Sequence, residues 1–265
     1  MLDEMKRLFI PLTRYLPTLT LMKLIIRYAF MPSDYVLVEL PLGLKVYLPK
    51  TEIISSLKNI LHIFYYKDYE IFKDFVPKRG WLVIDVGAFI GLWSLRVSRL
   101  VSDSGRVIAL EPNPFAYSMF LINLRLNGVK NVYPLPYALS SESGTLPLYI
   151  SKHQINSSLC KEYVNLMGGF SKTVLVKTIT LKDLLNSLSV NVVDLVKIDV
   201  EGHELKLVAS LDRHIIRRIR RFIIEVHKEV ADLSKLTKEL EDKGYNVYVY
   251  EEYLPVQAFV YAKRF

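Results

Sequence analysis

Along most of this chain, two patterns of hydrophobic and polar residues follow each other in turn. Short apolar runs, such as 82–86 and 106–110, are typical of buried strands, and each is followed by a segment with the apolar spacing of a helix. The predicted strands are 82–86, 106–110, 131–136, 192–198, 221–226, 245–250 and 256–262, and the predicted helices are 89–101, 114–127, 180–188, 203–211 and 231–243. This alternation predicts right-handed crossovers and a doubly wound α/β fold with a mostly parallel, seven-stranded sheet.

One insertion interrupts the alternation. Residues 145–150 and 173–177 have the pattern of two further strands, and the segment between them carries Asn156-Ser157-Ser158 and Gly168-Gly169. Long connections of this kind are more often functional than structural. We therefore expect the insertion to lie close to the functional site.

The first 78 residues follow a different pattern, and we expect them to form an N-terminal extension of a domain that spans 79–265. Two apolar runs, 35–39 and 44–48, predict a β-hairpin. Residues 51–76 have a helical pattern and many aromatic side chains. Because the extension directly precedes the first predicted strand of the sheet, we expect it to cover the ligand crevice and to line part of it.

A helix with one apolar face is predicted near the N-terminus, with Leu24 and Tyr28 opposite Lys23 and Arg27. Segment 16–31 is too short and too interrupted to span a membrane. The small-residue cleavage site of a signal peptide is also missing. We expect a cytoplasmic protein whose helix either packs on the domain, which is the favoured interpretation, or makes peripheral contact with a membrane surface.

A glycine turn after the first predicted strand is a candidate ligand site. Gly87 and Gly91 allow a sharp turn with bare main chain, and the following helix directs N–H groups toward a ligand. Asp85 ends the strand where open α/β sheets bind ligands, and Glu111, which ends the next strand, can accept both hydroxyls of a ribose. The turn lacks one glycine of the dinucleotide pattern, which favours a nucleoside without phosphates, such as S-adenosylmethionine. A glycine turn without any ligand is the alternative, which the two acids disfavour.

Four segments occur in an order that resembles the FkbM family of S-adenosylmethionine-dependent methyltransferases. They are Asp85-Val86-Gly87-Ala88-x-x-Gly91, Glu111-Pro112-Asn113-Pro114, Ala138-Leu139-Ser140 and Val196-Lys197-Ile198-Asp199-Val200-Glu201-Gly202-His203-Glu204. The resemblance covers about residues 65–265, and its last segment is the most specific. It implies a Rossmann-like methyltransferase sheet with a terminal antiparallel strand, and an acceptor hydroxyl on a sugar, polyketide or similar metabolite. The implied cofactor-binding residues are Asp85, Gly87, Ala88, Gly91, Glu111, Asn113 and Ala138.

Four polar residues at the ends of two neighbouring predicted strands form the candidate catalytic group. Asp199 and Glu201 follow one apolar run, and Glu225 and His227 end the next. Because the carboxyl ends of parallel strands meet at one edge of a sheet, we expect these side chains to converge beside the crevice. The methyl sulfonium is already an activated electrophile, so the enzyme has to align the acceptor and remove its proton. His227 or a carboxylate with a raised pKa, such as Glu201, is the candidate base.

Two alternatives to a metal-free base stay open at this point. A divalent metal held by the carboxylates, with or without His227, would lower the pKa of the acceptor hydroxyl. We expect no metal, because helix and strand geometry, rather than a tight ligand motif, sets the spacing of the acids. The second alternative is a structural role, in which Glu201 and Glu204 pair with basic residues and cap a helix. We favour this role for Glu204 but not for Glu201. For His203, a structural role and a role in the site are both open.

Composition and charge limit the classes of substrate and binding partner further. The chain has 265 residues, a hydrophobic content of 51% and a formal net charge of +8, which suits a phosphate, an anionic glycan, a membrane or a nucleic acid. The single cysteine excludes an intrachain disulfide and a Cys-rich zinc site. Arginines cluster at Arg213, Arg217, Arg218, Arg220 and Arg221, but stacking aromatics for RNA are missing beside them. We therefore expect an O-methyltransferase for a small molecule or glycan, with an RNA methyltransferase and a noncatalytic nucleoside-binding scaffold as alternatives. The sequence does not predict the oligomeric state.

Overall fold

The computed structural model describes residues 18–30, 32–251 and 257–264, and its side chains are described from residue 23 onward. The extension consists of helix α1 (Thr18–Phe30), strands β1 (Tyr35–Leu40) and β2 (Leu44–Pro49), and helix α2 (Ile53–Ile60). The two strands pair in an antiparallel hairpin, as the apolar runs predicted. Leu42 adopts a positive φ of 64° in the turn between them.

The remaining elements alternate between strands and helices. The strands are β3 (Leu82–Val86), β4 (Arg106–Leu110), β5 (Val132–Leu135), β6 (Ala138–Leu139), β7 (Gly144–Ser151), β8 (Phe170–Ile179), β9 (Leu195–Ile198), β10 (Arg221–His227), β11 (Asn246–Tyr250) and β12 (Gln257–Lys263). The helices are α3 (Leu92–Val101), α4 (Pro114–Leu126), α5 (Lys161–Leu166), α6 (Leu181–Ser187), α7 (Glu204–Ala209), α8 (Arg213–Arg218) and α9 (Leu233–Asp242).

The central sheet has seven strands in the order β11-β12-β10-β9-β3-β4-β5. Strand β12 is antiparallel to both of its neighbours, and the other pairs are parallel. The predicted doubly wound α/β fold is confirmed. The chain runs outward from β3 to β4 and β5 on one side and returns to β9 and β10 on the other. The gap between the ends of β3 and β9 is therefore the switch point at which such sheets bind ligands.

Two apolar cores cover the two faces of this sheet. Successive residues of β3 point to opposite faces, so that Val83 belongs to the core formed with the extension, α3 and α4, and Ile84 to the core formed with α6 to α9. Both residues are fully buried. The strands are apolar along their whole length for this reason, which made them recognisable in the sequence.

One predicted element differs from the structure. The helix predicted over 51–76 stops at Ile60, continues as one π-helical turn (Leu61–Tyr66) and ends at Lys67, which has a left-handed φ of 58°. The two strands predicted in the insertion are confirmed, and they join β6 in a separate sheet of order β6-β8-β7. The hairpin of β7 and β8 is thus free to lie over the carboxyl edge of the central sheet.

Helix α1 packs on the hairpin of the extension. Leu24 is buried, and Arg27 Nη1 donates a hydrogen bond of 2.5 Å to the carbonyl of Leu37. Ile26 and Phe30 stay exposed, so the peripheral membrane contact predicted for segment 16–31, of which residues 16, 17 and 31 lie outside the described ranges, stays a prediction. Within those ranges, no helix has both the length and the apolar character needed to cross a membrane.

Candidate functional site

A cavity of about 560 Å³ lies at the carboxyl edge of the central sheet. The loops after β3, β4 and β9 form its floor, together with the end of β10. The opposite wall comes from the extension, including α2 and Tyr69, and from loop 153–159 of the insertion. A chamber of this size with polar groups on its floor is large enough for a nucleoside and a small second substrate.

The glycine turn is shaped mainly by packing. Gly87 and Gly91 have φ values of +78° and +87°, and a Cβ on Gly87 would overlap the carbonyl oxygen of Asp199. A Cβ on Gly91 would overlap the ring of Phe120 on α4. The amides of Gly87 and Ala88 both donate to the carbonyl of Leu110 at 3.0 Å. The glycines therefore bring three strand-end loops close together, a reason different from the bare ligand surface that the sequence suggested.

Glu111 is fixed at the wall of this cavity. Its Oε2 accepts a hydrogen bond of 2.7 Å from the amide of Phe89, and its Oε1 accepts one of 2.8 Å from the amide of Asn113. Burial raises the pKa of Glu111 to about 7 even though these two bonds act in the opposite direction. Each carboxylate oxygen keeps a second lone pair, so the side chain can accept two further hydrogen bonds.

Asn113 and Ala138, two of the predicted cofactor-binding residues, have different positions relative to the cavity. The side chain of Asn113 caps α4 by accepting from the amide of Phe115, and its Nδ2 donates to Gln154 of the insertion at 3.1 Å. Asn113 thus connects the start of α4, next to Glu111, to loop 153–159 of the insertion. Ala138 lies in β6 and lines the cavity directly, as do Gly87 and Ala88.

Asp85 lies beneath the cavity rather than in it. It has no exposed surface, accepts a hydrogen bond of 2.6 Å from Ser94 and lies 3.3 Å from Lys197 Nζ. The expectation that Asp85 reaches into the crevice is not met in this geometry, because the carboxylate is turned toward α3 and Lys197. Its contact with the cofactor stays a prediction.

Lys197 is a central residue of the site that the sequence reasoning missed. Its Nζ lies 3.3 Å from Asp199 Oδ2 and 3.0 Å from the carbonyl oxygen of Gly87, in addition to its contact with Asp85. Burial alone would lower the pKa of Lys197, but the charges of Asp85 and Asp199 outweigh it and raise the pKa. The available signal was a lysine inside an apolar strand, two positions before an acid.

Two of the predicted catalytic acids are held by Tyr69 of the extension. The Tyr69 hydroxyl donates to Glu225 and lies 3.3 Å from Asp199 Oδ2. Burial, together with the charge of Asp199, raises the pKa of Glu225 to about 7. The next residue, Glu70, forms a bidentate ion pair with Arg96 of α3 at 2.6 and 2.7 Å. The pair Tyr69 and Glu70 therefore fastens the extension onto the carboxyl edge of the central sheet.

His227 lies between two carboxylates. Its Nδ1 is 2.8 Å from Glu204 Oε1, and its Nε2 is 3.1 Å from Glu201 Oε2. Burial would lower the pKa of His227, but the two carboxylates outweigh it and raise the pKa well above its usual range. Glu204 is fully buried and pairs with His227 rather than with an arginine or lysine as predicted. Glu201 adopts a left-handed φ of 58°, which marks a strained backbone at this point.

The four predicted catalytic residues are therefore brought together, although their roles stay predictions. Asp199, Glu201 and His227 each offer one ligand atom within 4.8 Å of the other two. Ser158 of the insertion closes over this group by donating to the carbonyl of Glu201 at 2.7 Å. His203, at the start of α7, lines the cavity, and its buried Nε2 has no hydrogen-bond partner among the described residues, so its role stays open.

The arginine cluster lies at the opposite edge of the sheet. Arg221 begins β10, whereas His227 ends it, so the two are about 20 Å apart along the strand. Arg220 Nη1 pairs with Asp194 at 2.6 Å, and Arg218 donates to Asn186 at 2.8 Å. These arginines bind neighbouring loops of the same molecule and do not face the cavity.

Comparison with known proteins identifies the family. The model of the methyltransferase FkbM domain matches residues 85–247. The methyltransferase sdnD of Sordaria araneosa is 31% identical over 62% of this chain and 73% of that protein. The hexuronic acid methyltransferase AglP of Haloferax volcanii is 32% identical over 58% of this chain, and the chain spans 60% of its length.

Solved structures give weaker matches. Fibrillarin from Aeropyrum pernix, solved with S-adenosylmethionine bound, is 15% identical over 71% of this chain and 68% of its own, with a TM-score of 0.46. An O-methyltransferase from Thermotoga maritima is 16% identical over 86% of this chain and 77% of its own, with a TM-score of 0.48. These values are too low to say anything about a substrate. The family match covers more than half of the chain, and this protein belongs to the FkbM family of methyltransferases, with S-adenosylmethionine as its cofactor.

Proposed function

We propose that this methyltransferase transfers the methyl group of S-adenosylmethionine to a hydroxyl group of a sugar, a glycan or a similar small metabolite. The observation that carries the proposal is the group of carboxylates at the cavity floor, beside the glycine turn. A hydroxyl needs its proton removed as it attacks the methyl group, and a carboxylate within reach can accept that proton. A noncatalytic nucleoside-binding scaffold has no use for so many buried acids.

The cofactor is proposed to lie between the glycine turn and β6. Its ribose hydroxyls donate to the two oxygens of Glu111, and its adenine and ribose contact the loop with Gly87 and Ala88 and the wall formed by Ala138. The positive sulfonium then points toward Asp199 and Glu225, whose negative charge stabilises it in the bound state. This placement directs the methyl group at the remaining part of the cavity, where the acceptor binds.

The acceptor is proposed to bind under the extension and loop 153–159. This part of the cavity contains carboxyl, amide and hydroxyl side chains, including Glu52, Gln154 and Ser157, which suit the hydroxyl groups of a sugar. Lys58, His62 and His153 also line it, which suits an acceptor carrying a negative charge. The relative from Haloferax volcanii, named for hexuronic acid, is consistent with an acidic sugar.

We further propose that residues 1–78 act as a cap on the methyltransferase domain 79–265. The support is the wall that α2 and Tyr69 form over the cavity. An RNA acceptor has less support, because the arginines that would attract RNA lie at the other edge of the sheet and bind neighbouring loops.

The acceptor class is tested by methyl transfer in extracts. Radiolabelled S-adenosylmethionine and the full-length protein are incubated with an extract treated with ribonuclease, with glycosidases, or with neither. We expect the label to enter base-stable ethers in the carbohydrate and small-metabolite fractions, and to be unaffected by ribonuclease. Label that enters RNA and is lost after ribonuclease treatment contradicts the proposal, and so does a protein that binds the cofactor without transferring methyl groups to any fraction.

A further inference from the structure

Three buried polar atoms lie together beside the cavity floor, and two of them, Glu201 Oε2 and His227 Nε2, face each other as an ion pair at 3.1 Å. The third is Asp199 Oδ1. One ligand atom from each of the same three residues lies within 4.8 Å of the other two. Buried polar atoms in folded proteins nearly always have partners. Asp199 Oδ1, which has no hydrogen-bond partner among the described residues, and the histidine–carboxylate pair beside it therefore indicate that the three side chains bind one ligand together.

The orientation of His227 points to the kind of ligand. His227 is 1% exposed, and its Nδ1 faces Glu204 Oε1 at 2.8 Å. Glu204 is itself held by the amide of Gly202 at 2.9 Å. This contact holds a proton on Nδ1, so a cation that displaces the proton of Nε2 meets the lone pair of that nitrogen. Histidines that bind metal ions almost always donate the other ring N–H to a carboxylate or carbonyl in this way.

The charges around this point also favour a cation. The buried or half-buried carboxylates are those of Asp85, Asp199, Glu201, Glu204 and Glu225. Lys197 neutralises one charge through its contacts with Asp85 and Asp199, and His227 can neutralise one more. The sulfonium of the cofactor supplies a further positive charge close by. With all five carboxylates ionised, negative charge exceeds positive charge, and unbalanced buried charges are strongly unfavourable.

We propose that Asp199, Glu201 and His227 bind a divalent cation of the Mg²⁺ and Mn²⁺ class, which in turn binds the acceptor hydroxyl. The proposal rests on the proposed function and replaces the metal-free base expected from the sequence. An octahedral ion at about 2.1 Å from its ligands holds them roughly 3 to 4.2 Å apart, which small side-chain rotations reach from the present spacing. Three protein ligands leave positions for the acceptor oxygen and for water.

With the cation bound, the reaction does not need a strong base. It lowers the pKa of the bound hydroxyl, whose proton passes to the carboxylate of Glu225. The oxygen forms a bond with the methyl carbon, the carbon–sulfur bond breaks, and its electron pair stays on sulfur in S-adenosylhomocysteine. Lys197 and Tyr69 keep Asp199 and Glu225 in place while the charge moves, since Lys197 contacts Asp199 Oδ2 and Tyr69 donates to Glu225 Oε2, which leaves Asp199 Oδ1 for the cation.

The test is the binding of Mn²⁺ to full-length protein that has been treated with a chelator and desalted. Electron paramagnetic resonance of free Mn²⁺ should show one ion bound per chain. Glu201→Gln and Asp199→Asn should each weaken this binding at least tenfold, and Glu204→Gln, which only orients His227, by about 10- to 100-fold. The matched control Glu229→Gln alters an exposed acid of the neighbouring loop and should bind Mn²⁺ as the wild type does.

A second measurement on the same samples separates folding from metal binding. Calorimetry with S-adenosylhomocysteine should give similar affinities for all variants, which shows that each is folded. Absence of Mn²⁺ binding, or equal binding in Glu201→Gln and wild type, overturns the proposal. Methyl transfer to a hydroxyl that continues in excess chelator also overturns it but leaves the proposed function intact. Mn²⁺ binding at this site without any hydroxyl methylation supports the cation site and contradicts the proposed function.

Discussion

At the scale of single residues, Glu111 is the sharpest test of cofactor binding. Its two oxygens already hold the loops on either side and have lone pairs left for the ribose. Glu111→Ala should therefore weaken binding of S-adenosylhomocysteine by about 2–3 kcal/mol, or roughly 30- to 150-fold in Kd. Isothermal titration calorimetry measures the effect, with the exposed Glu142→Ala as control. Equal affinity in wild type and Glu111→Ala would show that the ribose binds elsewhere.

The same residue predicts a pH dependence of cofactor binding. Burial raises the pKa of Glu111 to about 7 in the free protein, so the carboxyl is largely protonated at pH 6 and largely ionised at pH 8. Only the ionised form accepts hydrogen bonds from both ribose hydroxyls. Affinity should therefore increase as the pH rises from 6 to 8, and this increase should be absent in Glu111→Gln. A wild-type affinity that falls over this range contradicts the assignment.

The candidate catalytic group gives a third prediction at this scale. Glu201→Gln and His227→Ala should lower the rate of methyl transfer by about 100- to 10,000-fold, because each alters the group that acts on the acceptor hydroxyl. The affinity for S-adenosylhomocysteine should change little, since Glu111 and the glycine turn are untouched. Single-turnover transfer at saturating cofactor separates the two effects. Near-normal turnover in both variants would mean that Glu201 and His227 are structural and that the base is Glu225 or lies in the extension or the insertion.

At the scale of elements, the ion pair between Glu70 and Arg96 fastens the extension to α3. Both side chains are almost completely buried. Glu70→Gln leaves Arg96 charged and unpaired, and should lower the free energy of unfolding by about 3–5 kcal/mol. Urea denaturation measures this change, and the double variant Glu70→Gln, Arg96→Leu should recover part of it. A loss below 1 kcal/mol in Glu70→Gln would show that the pair contributes little to docking of the extension.

The same elements show how far the sequence could predict the molecule. Strands such as β3 and β9 were predictable because both of their faces are buried, which makes them continuously apolar. The end of α2 was not, since apolar residues continue through Phe64 and nothing in the sequence marks the left-handed Lys67. The position of Asp85 at a strand end was predictable, but not the direction of its side chain. That direction depends on Lys197, whose burial is visible only when β3 and β9 pair.

At the scale of the whole molecule, the net charge of +8 permits either an anionic sugar or RNA as the acceptor. The two differ in salt dependence, because an RNA contact releases many counterions and a single sugar carboxylate very few. Binding of RNA would weaken by about 10³- to 10⁵-fold between 50 and 200 mM salt, whereas the KM for a sugar acceptor should change only severalfold.

Charge reversal at the exposed Arg213 and Arg217 tests the same point, since both lie on α8 at the edge far from the cavity. We expect Arg213→Glu, Arg217→Glu to leave kcat and KM within twofold of wild type, because in the proposed function the acceptor is attracted by Lys58, His62 and His153, which line the cavity itself. A large increase in KM at low salt in this double variant would instead place a polyanion across the arginine cluster.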